Sequence, residues 1–342
     1  MMASNQWASR PADQRFETLA DLRSAVHNRR MKSRAMDLNL SALHVEASGN
    51  DIVINSAIAP SSPSHWAFSQ FAGELGAPGN YLRKLPVQLA VENLRHGIQA
   101  AGDRDVKMMT IAQEDGPNTL QAVTSTSYGR IWDADVVDSV GRIVERTGGK
   151  FHSPLAYSFK HGEPRPSGLY ASDRDVFMFM IDGGSLLEVG PRAKLNRGFF
   201  VWNSEVGRRT MGIQTFLFNV VCGNHIVWGA QDVRTLKIKH TSGAPAKFDS
   251  EAMPALLEYA NSSAKTEEAV IRRAIDTLLP EEEGLAKLAA AADLSRTEMA
   301  EAKAAAIREE GDFKTYWHLI QGVTAYARGF EYVDARIELE KK

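Results

Sequence analysis

Six residues that could do chemistry lie in one stretch, 199–229, which otherwise has the composition of core strands. They are Asn203, Ser204, Glu205, Cys222, Asn224 and His225. A cysteine near a histidine could supply a thiol nucleophile and its general base. In a regular strand, however, residues three apart point to opposite faces, so only a turn at Gly223 would bring Cys222 and His225 together. An enzyme whose pocket gathers this polar set is therefore one hypothesis, and a buried structural cysteine with hydrogen-bonded turns is the other.

The motifs for metal and nucleotide cofactors are missing. Structural zinc takes four ligands, often paired cysteines at short spacing, whereas Cys222 is the one cysteine of the chain. The glycines of "GGSLLEVG" lack the lysine and hydroxyl residue of a phosphate-binding loop, and no strand–GxGxxG–helix unit occurs. The sequence thus predicts no metal and no cofactor, and it disfavours an enzyme driven by ATP or NAD.

Basic and aromatic side chains offer a different chemistry, the binding of nucleic acid. Cations at phosphate spacing neutralise the backbone, and aromatic rings can stack on unpaired bases. In "SYGRIWD", two rings flank an arginine with a period of two, and further cations follow in the strand region. The candidate nucleic-acid contacts are Tyr128, Arg130, Trp132, Arg208, Arg209, Arg234, Lys237 and Lys239. The competing interpretation of each is a solvated strand edge, where lysine also prevents aggregation.

Charge is unevenly distributed along a chain of 342 residues whose formal net charge is only −2. Residues 192–240 carry a net charge of +6, and residues 249–342 carry −7. Such asymmetry fits an anionic ligand on the basic region, and it fits equally well a contact between two parts of the protein or between subunits.

The N-terminus "MMASNQWASRPADQRF" has no apolar signal core, and the apolar runs are too short to span a membrane. A single cysteine fits a reducing compartment. We expect a protein of the cytoplasm, in a bacterial host or a phage-infected cell.

The elements that must position these residues indicate an α+β protein. We expect a mainly antiparallel central sheet over about 107–241, an N-terminal helical hairpin before it and a C-terminal acidic helical region after it. The division into domains is predicted as a basic N-terminal extension (1–60), an α+β core (61–245) and the helical region (246–342). Apolar spacing also predicts a helix over about 12–28, and Ser64 is placed to cap the next one. In the stretch 199–229 we expect two paired strands with an exposed bend at "NSEVGRR" and a second bend at "CGNH".

Several strings together resemble the phage/plasmid-like protein family called domain of unknown function 932. They are "LGAPGNYLRKLP", "STSYGRIWDADVVDSV", "VWNSEVGRRTMGIQTFLFNVVCGNHIVWG", "IKHT" and "LIQGVTAYARGFEYVDARIELE". Where relatives commonly have Cys-x-Asn-Gly, this chain has Cys222-Gly223-Asn224-His225, which puts a tight turn there in doubt.

The resemblance implies a setting among phage and plasmid genes that handle DNA, and the family's name assigns no activity. It suggests by analogy a single-strand annealing protein, which is an oligomeric, ATP-independent binder of single-stranded DNA. We therefore favour a nucleic-acid-binding homo-oligomer. The alternatives are a protein-interaction or host-defence-counteracting factor that uses the acidic helices, and the enzyme described above.

Overall fold

The structure is a computed structural model that describes residues 12–153, 168–190, 193–219, 224–226 and 236–327. Its helices are α1 (Leu19–Lys32), α2 (His65–Glu74), α3 (Gly79–Leu82), α4 (Val87–Ala101), α5 (Asp133–Arg146), α6 (Ala244–Lys247), α7 (Met253–Asn261), α8 (Lys265–Asp276), α9 (Glu282–Ala291), α10 (Arg296–Glu310) and α11 (Tyr316–Ala327).

The strands alternate with the helices in the first half of the chain and dominate its middle. They are β1 (Arg15–Phe16), β2 (Ser33–Asn39), β3 (His44–Ser48), β4 (Asp51–Asn55), β5 (Ser61–Pro63), β6 (Asp105–Ile111), β7 (Asn118–Thr124), β8 (Phe151–His152), β9 (Leu169–Ala171), β10 (Val176–Gly190), β11 (Ala193–Asn203), β12 (Met211–Asn219), β13 (Asn224–Ile226) and β14 (Leu236–Ile238).

The described strands form two sheets. The first sheet has the order β2-β6-β7-β5-β4-β3, and the second has the order β1-β9-β10-β11-β12-β13, with β14 beside β12 and β8 beside β10. All pairs are antiparallel except β5 with β7. The α+β class and the mainly antiparallel pairing are thus confirmed, although the strands make two sheets and begin well before residue 107.

Each sheet has its own core. On the first sheet, α2 and α4 bury Phe71 and Leu94 against Met108 of β6. On the second, α1 and α5 pack with the helices after residue 244 around Phe199 and Val201. Aromatic residues of β10–β12 form a further buried cluster that includes Phe177, Phe200, Trp202 and Phe216.

The N-terminal helical hairpin predicted from the sequence is present as α2 and α4. The Ser64 hydroxyl accepts a hydrogen bond from the amide of Ala67 at 3.2 Å, which satisfies one of the donors that an α-helix leaves free at its start. The helix predicted over 12–28 lies further along the chain, at α1, because Thr18 supplies the N-cap.

Residues 12–60, the described part of the segment predicted to be a basic N-terminal extension, form helix and strands. This segment supplies α1 and the strands β1 to β4, which belong to both sheets. Its polar composition reflects strands at the sheet edges, where many side chains meet solvent. The other predicted boundaries, near 61 and 245, stay predictions.

Candidate functional site

The turn between β11 and β12 lies in the seam between the two sheets. The paired strands predicted on either side of it are present, with Trp202 opposite Gly212. The turn was predicted to be an exposed bend, which is wrong for its first half: Asn203, Ser204 and Glu205 are at most 3% exposed. The next residue, Val206, is covered by α2, since Trp66 and Gln70 both donate hydrogen bonds to its carbonyl.

Asn203 and Glu205 hold the start of helix α5. The Asn203 Nδ2 donates to the carbonyl of Ile131 and to Oδ1 of Asp133, both at 2.8 Å. The Glu205 Oε2 accepts the main-chain amide of Asp133 at 3.1 Å. Trp132 occupies the N-cap position and makes no side-chain capping bond there, so Glu205 supplies the missing acceptor from a distant part of the chain.

Arg29 of α1 completes this buried group. Its guanidinium forms an ion pair with the Asp133 carboxylate, and its Nε lies 3.1 Å from Oε1 of Glu205. Burial, and next the charge of Glu205, raise the pKa of Asp133 well above its usual value. The group therefore joins α1, α5 and the turn; Asn203, Asp133 and Glu205 are buried, whereas 17% of the Arg29 side chain is exposed.

The residues of "SYGRIWD" also turn toward this seam. The Tyr128 hydroxyl donates to the carbonyl of Ser204 at 2.9 Å, and its ring stacks on His240 at 4.9 Å between centroids. Arg130 is 8% exposed and donates to the carbonyl of Glu205.

The ring of Trp132 is occupied as well, because the guanidinium carbon of Arg30 lies 3.8 Å from its centroid. These contacts make the three residues a support for the turn. Arg130 is buried, whereas Tyr128 and Trp132 are half-buried, so the predicted stacking of these two rings on bases stays a prediction.

The strand register separates the two halves of the predicted polar pocket. His225 pairs with Phe218, which pairs with Asn196 near the start of β11, whereas Asn203 ends that strand. Seven residues of β-strand span roughly 23 Å. The backbone therefore keeps Asn224 and His225 far from Asn203 and Glu205, and Cys222 lies outside the described residues.

The predicted cations have different surroundings. Arg209 points inward, with its Nε 3.6 Å from Oδ2 of the buried Asp175. Arg208 is half-buried and lies over the ring of Trp66 at 5.5 Å. Lys237 and Lys239 are exposed on either side of the buried Ile238, so they share a face of β14. Arg234 lies outside the described residues.

Arg174 lies near enough to Arg208 and to Arg83 for its charge to act on both, and neither Arg83 nor Arg174 was predicted from the sequence. Arg83 follows α3, and Arg174 lies in the turn between β9 and β10; we call Arg83, Arg174 and Arg208 the arginine cluster. Burial, and next the charge of Arg174, lower the pKa of Arg83. Burial lowers the pKa of Arg208; the charge of Asp175 opposes this shift, and the charges of Arg209 and Arg174 add to it. No sequence motif marks this cluster, because the approach of the two sheets creates it.

His65, the first residue of α2, belongs to the same surroundings. It is exposed, and its pKa is lowered first by burial and then by the charges of Arg83 and Arg174. An imidazole that shares its site with guanidinium groups is harder to protonate, because like charges disfavour its cationic form.

An open cavity of about 450 Å³ adjoins the cluster and has a mixed lining. Phe68, Leu82 and Ala90 provide apolar surface, whereas Asp51, His65 and Arg83 provide polar groups. This volume falls in the range of small-molecule sites, which are roughly 300–1,000 Å³.

The described ranges contain neither a candidate metal site nor a membrane-spanning helix. No group of three or more His, Cys, Asp or Glu side chains that could hold a metal occurs there. No helix of this part of the chain has both the length and the apolar composition needed to cross a bilayer.

Comparison with known proteins identifies the family of the chain. Neither a curated protein nor a solved structure matches the chain. A family model matches residues 121–331, a region that contains the β11–β12 turn, the helix that it caps and two of the three clustered arginines. The chain therefore belongs to the family described as Domain of unknown function (DUF932).

Proposed function

We propose that the protein binds nucleic acid, with a preference for single-stranded DNA, on a basic surface centred on the arginine cluster. The observation that carries the proposal is the approach of Arg83, Arg174 and Arg208 from three separate segments. Like charges held together oppose folding, and protein surfaces that bind anions have this property.

The neighbouring carboxylates offset this charge only in part. Asp173 lies 3.4 Å from Arg174, and Asp175 lies 3.6 Å from Arg209. The guanidinium of Arg83 donates to Asn80 and Ser69, which are uncharged. The cluster thus keeps an excess of positive charge that phosphate groups would neutralise.

Lys237 and Lys239 extend the surface beyond the cluster. Strand β14 runs antiparallel to β12, with Ile238 opposite Met211. Lys239 therefore lies beside the end of the turn that carries Arg208. This arrangement offers a polyanion a path from the edge of the second sheet to the seam.

The preference for single strands is supported by the cavity beside Arg83. An unpaired base can leave its neighbours and insert into a pocket with apolar walls, whereas a base in a duplex is stacked and paired. Phe68 and Leu82 supply such walls next to a cation.

The proposal includes an oligomeric, ATP-independent role in DNA annealing or protection, in the cytoplasm and in a phage or plasmid setting. The absence of nucleotide-binding motifs from the sequence and the resemblance described above support it.

The test is a fluorescence-anisotropy titration of labelled single- and double-stranded oligonucleotides at several salt concentrations. We expect tighter binding of the single strand and a linear fall of log K with log salt. Arg174→Ala and Arg208→Ala should each weaken binding and reduce the salt slope by roughly 1. Arg272→Ala, on the exposed surface of α8, is the matched control and should leave both unchanged. Binding that is undetectable at low salt, or equal losses in all three variants, contradicts the proposal.

A second candidate, a protein-interaction or host-defence-counteracting role, is favoured by the exposed acidic surface of the C-terminal helices. Glu281, Glu282 and Glu283 are consecutive and exposed at the start of α9. Charge reversal of these three residues should abolish capture of a basic partner and leave DNA binding intact if this role is the correct one.

A further inference from the structure

Strand β2 forms one edge of the first sheet, and its central residues are open to solvent. Four consecutive residues, 34–37, are exposed. Among them, Met36 has 46% of its surface exposed, which is a large value for an apolar side chain in a sheet. Exposed sheet edges present unpaired main-chain groups to other chains.

The hydrogen-bond pattern shows which main-chain groups of β2 are available. The amide of Ala112 donates to the carbonyl of Lys32, and the amide of Leu40 donates to the carbonyl of Arg104, both at 2.9 Å. Even-numbered residues of β2 therefore bond to β6, because the two directions alternate along a strand. The amides and carbonyls of Ala35 and Asp37 point outward, and the part of the chain that the structure describes supplies no partner for them.

The opposite edge of the first sheet is protected. Arg95 of α4 donates its Nε–H to the carbonyl of Val45 in β3 at 2.8 Å, and this helix packs on the strand. The two edges thus differ: a carbonyl of β3 already accepts a hydrogen bond from α4, whereas the outward main-chain groups of Ala35 and Asp37 in β2 have no partner within the described residues.

We propose that β2 pairs antiparallel with β2 of a second copy of this chain, with the two-fold axis between the two Met36 residues. In this register Ala35 and Asp37 of one copy exchange hydrogen bonds with Asp37 and Ala35 of the other. The Met36 side chains then form a non-hydrogen-bonded pair, the arrangement in which opposing side chains lie closest.

Charge and chain geometry disfavour the two neighbouring registers that also satisfy the outward groups, and the Met36-centred register alone pairs the whole of β2, Ser33–Asn39. A shift toward the end of the strand places Asp37 opposite Asp37, which is destabilising because like charges face each other. A shift in the other direction places Leu38 opposite Lys32, which is still helical at the end of α1. The Met36-centred register therefore combines full main-chain pairing with compatible charges.

This inference rests on the proposed homo-oligomer and is independent of the proposed binding of nucleic acid. It names the interface, and its outcome can be separated from that of the DNA titration because β2 contributes no residue to the arginine cluster.

Disulfide trapping tests the register directly. Met36→Cys and, as the matched control, Arg34→Cys are made in a Cys222→Ser background, and each purified protein is treated with oxidised glutathione. Two cysteines at position 36 would face each other at about 4.5–5.5 Å between Cα atoms, within disulfide range. Two cysteines at position 34 would lie roughly 13 Å apart, beyond that range. The glutathione disulfide is reduced as the two thiols are oxidised.

Light scattering of the unmodified protein over a range of concentrations is measured alongside. We expect a dimer in solution, a covalent dimer from Met36→Cys and none from Arg34→Cys. Met36→Lys, which would place two ammonium groups opposite each other, should raise the dimer dissociation constant by about tenfold or more, whereas Met36→Leu should not.

Two results would overturn the inference. A dimer in solution without selective cross-linking at position 36 shows that another surface forms the interface and leaves the homo-oligomer in place. A monomer at all concentrations removes both the interface and the homo-oligomer.

Discussion

Glu205 caps helix α5 from another part of the chain: its Oε2 accepts the amide of Asp133 across 3.1 Å. The same carboxylate lies against Arg29, so one side chain joins the turn, the start of α5 and the end of α1. This relationship assigns the polar turn a role in fixing α1 and α5 against the second sheet.

Removing the Glu205 side chain should strongly destabilise the protein. In Glu205→Ala, the amide of Asp133 loses its acceptor and Arg29 keeps only one of its two buried carboxylates. We expect the free energy of unfolding to fall by roughly 3 kcal/mol, as measured by urea denaturation followed by circular dichroism.

Glu205→Gln should cost less, because the amide oxygen still accepts the hydrogen bond. Glu283→Ala, which removes an exposed partner of Lys287, is the control and should change stability by less than about 0.5 kcal/mol. Equal effects at positions 205 and 283 would show that the cap is energetically unimportant.

The raised pKa of Asp133 predicts a pH dependence of stability. The folded state holds this proton to higher pH than the unfolded state, whose value is near 3.8. The stability that proton binding contributes is therefore present below that value and is lost as pH rises through the folded pKa. Asp133→Asn cannot titrate, so its stability relative to the natural protein should increase with pH in urea titrations from pH 4 to pH 8.

Asp138 provides the opposite case on the same helix. Although burial opposes the shift, hydrogen bonds from His27 and Arg23 lower its pKa below the usual value. The stability that the ionised Asp138 contributes is present above about pH 3.8. It is lost as pH falls through the pKa that this carboxyl has in the folded state. The stability difference between Asp138→Asn and the natural protein should thus shrink on acidification. Slopes of the same sign for the two asparagine variants would contradict the assignment.

His65 should report on anion binding at the arginine cluster. Its pKa is lowered by burial and by the charges of Arg83 and Arg174. A bound phosphate favours the imidazolium, so an oligonucleotide should raise the pKa of His65 in NMR titrations. By linkage, DNA affinity should increase as pH falls from about 7.5 to 5.5.

His65→Gln should lose part of this increase. His44→Gln, on the exposed side of β3, should retain it. An unchanged His65 titration in the presence of bound DNA would place the ligand elsewhere.

Helices α10 and α11 approach too closely for a side chain at Gly322. A Cβ atom there would lie 2.2 Å from the carbonyl oxygen of Ala302. Gly322→Ala should therefore destabilise by roughly 1–3 kcal/mol. Gly141→Ala, in helix α5 with no atom within 4 Å of the new methyl group, should be neutral or stabilise by up to about 1 kcal/mol. Thermal unfolding of the two variants separates these outcomes.

Local patterns predicted what depends on neighbours in sequence. The apolar spacing of α4, the cap at Ser64 and the strands on either side of the β11–β12 turn all follow from interactions within a few residues. The burial of Asn203 could not be predicted in this way, because its hydrogen-bond partners, Ile131 and Asp133, lie 72 and 70 positions away in the sequence. Arg83 and Arg174 were not predicted for a similar reason. Each lies in a turn, and only the packing of segments that are distant in sequence brings it near another arginine.

The family model begins at residue 121, inside β7, and this strand lies between β5 and β6 in the first sheet. A truncated protein that started at that boundary would keep the turn and lose Trp66 and Gln70, whose side chains bind the carbonyl of Val206. It would also lose Arg29 and leave two buried carboxylates without their cation. Expression clones should therefore carry the preceding hundred or so residues, since the smallest autonomous folding unit is larger than the segment by which relatives are recognised.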